Sequence, residues 1–305
     1  MLKLALLVLS VIIKAAVVAK WPMTIYVDSP NYIGGAGMFH NFNIVLGCLD
    51  IYDTHDYVAI KVDFGTKGLY YDASYGSNWW NYYFEPIDYP VRSLEYGQKR
   101  PMVKYLNDLA KADFGNNAHF CMKRERAHEL IKRYIRVRQE LLDEVETFYQ
   151  KHLEDCFILG VHYRGTDKWA EATYITDEEI LLRILKEEKK NSGKVKIFLA
   201  TDCSSFLEKM QRQFGDQVCF IQAERFETEP VHYHAKEKFS MGKEAVMECL
   251  LLAKSDLLIR MNSNLSAVAA YFNPHMKVIN LNTVNDSLYQ DILKRGIPNE
   301  LNLRY

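Results

Sequence analysis

The densest group of chemically capable side chains follows a short apolar run. Phe157 to Val161 is almost wholly apolar, and His162, Arg164, Thr166, Asp167 and Lys168 come directly after it. A continuous apolar run is the pattern of a strand covered on both faces in a parallel sheet, and open α/β sheets hold ligands beyond the carboxyl ends of their strands. The order therefore points these groups into a site. Arg164 is permanently charged and offers a planar fork of donors that matches phosphate oxygens, so its expected work is to hold an anionic leaving group. Gly165 lets the backbone turn sharply and come close to a ligand. The plainer reading is a charged surface turn, since polar turns after strands are common.

Other clusters repeat that logic. Gly34, Gly35 and Gly37 lie between a predicted strand and a predicted helix, where they allow a tight turn or close backbone approach to a ligand; no Gly-Lys-Ser/Thr follows, so this is not a P-loop. Thr201 and Asp202 end the run 196–200, and Asp202 could bond ligand hydroxyls, hold Arg164, or cap the next helix before Ser204. Ser263, Asn264 and Ser266 crowd the start of another helix with more polar groups than capping needs, and unpaired amides together with the helix dipole make such a start an anion site. Glu248 lies in an otherwise apolar helical stretch, either approaching the cleft or on a solvated face. His232 and His234 with Glu229 lack a third firm ligand, so no metal is expected.

These groups need a scaffold, and 305 residues with 49% hydrophobic content can build two compact domains. The near balance of 38 basic and 39 acidic residues carries no nucleic-acid footprint, so any anion site is local. Residues 1–19 read as a signal peptide or an uncleaved membrane anchor, with Lys3 before an apolar stretch that Lys14 interrupts. The six dispersed cysteines contain no C-x-x-C pair; buried thiols are the expectation, and an even count permits disulfides without pairing them. Thr24 to Val27 and Tyr57 to Phe64 read as strands around a helix with Met38, Phe42, Val45, Leu49 and Tyr52 on one stripe. The aromatic stretch 65–98 reads as long loops whose rings (Trp79, Trp80, Tyr82, Tyr83) belong to the core or stack on sugars. One long helix is expected from Arg124 to His152, and strict strand-helix alternation follows it. That alternation predicts a doubly wound parallel sheet in 151–305, behind an amino-terminal α/β domain in 20–150.

Three stretches in this order resemble the GDP-fucose-dependent fucosyltransferases: Gly160-Val-His-Tyr-Arg-Gly-Thr-Asp-Lys168 with Glu171 behind it, Phe198-Leu-Ala-Thr-Asp202, and Gly242-Lys-Glu-Ala245 followed by Leu250-Leu-Leu-Ala-Lys-Ser-Asp256 and Asn262-Ser-Asn-Leu-Ser266. The resemblance is closest to the α-1,6 and rhizobial nodulation type, with kinship to the α-1,2 and protein O-fucosyltransferases, and covers mainly residues 150–275. It implies an α/β GT-B fold of two Rossmann-like domains facing a cleft, the carboxyl-terminal one holding the nucleotide sugar and the amino-terminal one a glycan or glycoprotein acceptor. It implies inverting transfer with GDP-fucose as donor substrate and no cofactor or metal. Arg164 matches the arginine that grips the β-phosphate. Asp167, Lys168 and Glu171 match a polar set around the acceptor hydroxyl, with Glu171 as general base and Lys168 orienting it. Asp202 and the Ser263 loop match nucleotide-contacting positions. Two positions depart: the family's second arginine is Gly165 here, and its asparagine after the glycine turn is Met38. The implied compartment is the secretory pathway, in the Golgi or ER lumen, with a bacterial envelope or cytoplasm as the alternative.

Overall fold

The computed structural model describes residues 23–27, 37–56, 58–66, 68–92, 102–103, 122–165, 175–191, 193–227 and 237–282. In chain order the amino-terminal half gives β1 (Met23–Val27), α1 (Met38–Thr54), β2 (Val58–Val62), α2 (Trp80–Tyr83), β3 (Asp88–Tyr89), β4 (Met102–Val103), α3 (Arg124–Tyr134) and α4 (Gln139–His152). The rest alternates: β5 (Phe157–Tyr163), α5 (Asp177–Glu188), β6 (Val195–Thr201), α6 (Ser204–Phe214), β7 (Val218–Cys219), α7 (Lys238–Ala253), β8 (Leu257–Arg260), α8 (Asn264–Phe272) and β9 (Lys277–Asn280). The expected α/β architecture with two sheets is present.

The second sheet is parallel throughout, in the order β7-β6-β5-β8-β9. Its side chains sort by the period of two that a strand imposes. Leu159, Val161, Ile197, Leu199 and Ile259 pack against α5 and α6, while Ile158, Phe198, Ala200 and Leu258 face the core that α7 and α8 share with the first half. Gly160 is required at the second face, because a Cβ there would overlap Ser255 Oγ, with Ser255 Cβ only 3.0 Å away. The chain proceeds outward from β5 to β7, then returns to place β8 on the other side of β5. That reversal opens a crevice at the carboxyl ends of β5 and β8, the place where doubly wound sheets take their ligands.

The first sheet has the order β3-β2-β1-β4, with β1 parallel to β2 and β4, and β3 antiparallel. The predicted stripe of α1 is buried at every position. One expected element is corrected. The helix from Arg124 to His152 is two helices, because Ile135 to Arg138 leaves helical geometry to pair with the segment after α2: Val137 bridges Phe84, Glu85 N–H donates to Arg136 O (2.8 Å), and Arg138 N–H donates to Tyr83 O (2.9 Å). Trp79, Trp80 and Tyr83 are sealed at 1% exposure or less, so these rings are core, not sugar platforms. The two halves are joined through Tyr83, whose hydroxyl donates to Phe239 O (3.0 Å) while its ring occupies the space a Cβ of Gly242 would need.

Residues 1–19, Gly34, Gly35, Asp167, Lys168, Glu171, His232 and His234 lie outside the described residues. Among the described residues no helix is long and apolar enough to cross a membrane. Cys48, Cys203, Cys219 and Cys249 are buried free thiols, and Cys156 is a half-buried one.

Candidate active site

The carboxyl end of β5 sits between its two neighbours: His162 is level with Ala200 of β6 and Arg260 of β8, and Tyr163 with Thr201. His162 is buried there. Beyond it the Arg164 guanidinium keeps 30% of its side-chain surface exposed, with its Nε 3.7 Å from Asp202 Oδ2. Asp202 Oδ1 accepts the Gly165 amide at 3.0 Å. One carboxylate thus ties the turn after β5 to the turn after β6 and orients the arginine. The cap of α6 is Cys203, so the capping reading of Asp202 does not hold. Gly165 stands in close quarters, since a Cβ would lie 2.7 Å from the Tyr163 ring and 3.1 Å from Cys203 Cβ. A side chain at this position requires its neighbours to move. Thr201 turns inward, its Oγ1 accepting the Cys203 amide at 3.1 Å.

On the other side of the crevice, Arg260 is fully buried and donates to Met261 O (3.2 Å) and Ser263 O (2.9 Å), shaping the loop that enters α8. Ser266 spends its hydroxyl on Met261 O and Ser263 O, both at 3.4 Å, so its work is to close the loop. Ser263 is the cap residue but makes no side-chain capping bond, which leaves the first amides of α8 without that partner. Asn264 accepts from Asn43 Nδ2 at 3.2 Å, a contact between the two halves. The start of α1 faces the same region. Gly37 caps that helix without a side chain, Met38 N–H donates to Tyr70 Oη at 2.7 Å, and burial holds the Tyr70 hydroxyl above the ordinary tyrosine range against the smaller opposing pulls of that amide and the Arg164 charge.

Glu248 is not on a solvated face. Its side chain is 13% exposed, and Oε1 is 3.8 Å from Arg225 Nη2. Burial pushes its carboxyl up to about 8, against the pull of Arg225 and with help from Asp202 and Glu244. Glu244, one turn earlier, is pushed up to about 6 by burial as well. Carboxyls titrating this high gather where ligands bind.

Tertiary structure thus sets His162, Arg164, Thr201 and Asp202 at neighbouring strand ends, Ser263 and Asn264 at the start of α8 against Asn43 of α1, Gly37 at the start of α1, and Glu248 within reach of the Asp202 charge, with Ser266 directed into its own loop. Arg225, Tyr70 and Asn43 join them without having been singled out in the sequence. Arg164 directly follows β5, whereas Arg225 stands well past the end of β7 in an irregular segment, so no strand-end signal marks it, and Tyr70 likewise sits in an irregular stretch.

The family model described as Nodulation protein Z (NodZ) matches residues 12–293. The chain belongs to the NodZ family. The Nodulation protein Z of Bradyrhizobium diazoefficiens is 28% identical over 172 residues, which is 52% of this chain and 46% of that relative's length. A solved structure of the NodZ alpha-1,6-fucosyltransferase soaked with GDP-fucose superposes with a TM-score of 0.57 at 17% identity, covering 87% of this chain and 96% of that one. An Arabidopsis thaliana FUT1 mutant in complex with GDP gives 0.50 at 11% identity, covering 85% and 70%. At these identities the structural matches establish a shared fold, the GT-B arrangement of the fucosyltransferases. The Arg164 turn, the Asp202 turn and the α8 start are features of this NodZ-family chain in its own right.

Proposed function

We propose that this chain is a fucosyltransferase that moves fucose from GDP-fucose to a hydroxyl of a glycan, with inversion and without a metal. The observation that carries the reading is the Arg164 guanidinium, anchored by Asp202 at the switch-point crevice of a NodZ-family chain. When the glycosyl bond breaks, negative charge collects on the departing diphosphate. A preorganised guanidinium and the first amides of α8 stabilise that charge in place of a cation. Ser263 and Thr201-Asp202 serve the nucleotide side, with Gly37 at the start of α1 opposite them; Gly34 and Gly35 are assigned to donor binding from the sequence alone. The Glu248 carboxylate is suited to the adjacent N1–H and N2–H donors of guanine, and His162 supports the floor between β5 and β8. Asp167, Lys168 and Glu171 are assigned to the acceptor by the family resemblance, Glu171 to take the proton of the attacking hydroxyl and Lys168 to orient it. Residues 151–305 serve as the donor half and 20–150 as the acceptor half. Of the compartments expected from the sequence, a bacterial envelope or cytoplasm fits the Bradyrhizobium relative, and the Golgi or ER lumen draws no support from it.

A thermal-shift comparison tests the donor: GDP should stabilise the protein and UDP and CMP should not, whereas stabilisation by UDP alone rejects the assignment. Transfer of labelled fucose to a glycan array should survive EDTA, and a strict manganese requirement would contradict the metal-free reading.

A further inference from the structure

We propose that Arg225 is a positioning residue of the donor pocket: it fixes the Glu248 carboxylate against the carboxyl end of β6, so that the crevice accepts a nucleotide base carrying adjacent N–H donors. The inference rests on the donor reading above and adds a residue outside the motifs that support it. The Arg225 side chain is only 6% exposed, although it comes from a segment with no regular secondary structure. Its guanidinium is held by three carbonyls in three directions: Nε donates to Thr201 O (3.0 Å), Nη1 to Ala223 O (3.1 Å) and Nη2 to Ile221 O (2.9 Å). The Phe220 ring lies beneath it, 5.3 Å from centroid to Cζ. A planar fork bound on three sides cannot swing out to solvent. It is a fixed cation, and it fastens the last residue of β6 to the segment after β7.

Glu248 meets that cation at 3.8 Å, within ion-pairing range and beyond hydrogen-bonding range. The guanidinium therefore holds the carboxylate by charge and leaves its lone pairs unspent. Asp202 differs, since one of its oxygens already accepts the Gly165 amide. Glu248 is thus an enclosed acceptor without a donor, and a base edge with two neighbouring N–H groups matches it. Ionisation decides whether it can act, because a protonated carboxyl turns one acceptor into a donor facing donors. Burial, Asp202 and Glu244 all favour the protonated form, and Arg225 is the cation that opposes them. Asp202 is itself paired with Arg164, so the charges surrounding Glu248 run from one end of the crevice to the other.

GDP affinity measured from pH 6 to 9.5 on the full chain tests this. The unaltered protein should bind more tightly as pH rises toward about 8, where Glu248 ionises. Arg225→Ala should weaken GDP binding about tenfold at pH 7.5 and move that rise upward by about one pH unit, the two being the same change in free energy. The donor KM should rise accordingly, with kcat at saturating donor changed by less than about threefold, as expected of lost uniform binding. Arg225→Lys, which keeps the charge, should show a smaller shift in the same direction, and Glu248→Gln should flatten the pH dependence. An unshifted Arg225→Ala profile, or a loss confined to kcat, overturns the inference. If the alanine variant does not fold, an Arg225→Lys profile identical to the unaltered protein overturns it too. Failure of the unaltered protein to bind GDP at any pH is a separate result that rejects the donor reading itself.

Discussion

The five-stranded sheet is parallel throughout and covered by helices on both faces, whereas the four-stranded sheet ends in strands of two residues on both sides, one of them antiparallel. The first is positioned by its backbone ladder. Seven-residue strands β5 and β6 run in register over their whole length, so the ladder delivers Arg164 and Asp202 side by side and the Asp202 carboxylate then ties their two turns. The second is positioned by side chains. Trp80 stacks on Phe84 at 4.3 Å, Phe64 on Trp79 at 4.6 Å, and Asp53 ties α1 to α3 through Arg126, Arg133 and Tyr134. A ladder tolerates loss of a side chain at its rim, and an aromatic cluster does not tolerate a misplaced methyl. Variants in the two halves should therefore fail differently, turnover in one and stability in the other.

The widest separation is expected at Arg164. Arg164→Ala should lower transfer by roughly 10²–10³-fold, the cost of removing one preorganised donor from developing charge, while its melting temperature stays within about 2 °C. Global unfolding of that variant would erase the distinction between the halves. Gly242→Ala, although made on α7, strikes the aromatic cluster of the first half by placing a methyl in the seat of the Tyr83 ring, and should cost about 1–3 kcal/mol in denaturant titration, as overpacking does. Tyr83→Phe in that background, lacking the hydroxyl nearest the new methyl, should recover part of the loss.

Asp53 gives a pH test of the side-chain-built half. Burial raises its carboxyl, but hydrogen bonds from Tyr134, Arg126 and Arg133 outweigh that and bring it down to about 2 from an ordinary 3.8. A folded-state value below the unfolded one means stability that is present above pH 4 and lost as pH falls toward 2. Asp53→Asn should cost about 1–3 kcal/mol at neutral pH and flatten that acid limb. Equal acid sensitivity of variant and parent would show that the network does not hold α1 to α3. The smallest effect is expected at Leu182, 66% exposed on α5, where Leu182→Ser should change stability by less than about 0.5 kcal/mol.

Legibility in the sequence followed the same division. The helix at Asp177, the strand at Phe157 and the helix after Ser263 stand within a few residues of their expected places, because apolar runs and their polar ends repeat a pattern that local periodicity dictates. Thr176 even closes a reciprocal cap with Glu179 at the start of α5. The break between α3 and α4 was invisible, since Val137 leaves the helix to pair with Phe84, a partner more than fifty residues earlier in the chain. Two-residue β3 and β4 carry too short a pattern to be read. In the site, Arg164, Asp202 and Ser263 were accessible because each follows a strand. For Glu248 the sequence leaves a cleft position and a solvated face both open, and only the fold decides for the covered one.

By itself, the sequence determined the strand-helix alternation of residues 151–305, the polar groups at each carboxyl end and the family they resemble, because these depend on residue types at short spacing. Tertiary structure decided the strand order, which sets β8 beside β5 and creates the crevice. It also decided which carboxylates are buried there, and that Arg225 answers Glu248 while Tyr83 seats on Gly242. The physical reason is that burial and charge pairing depend on what distant segments bring to a point in space, and no local pattern encodes that.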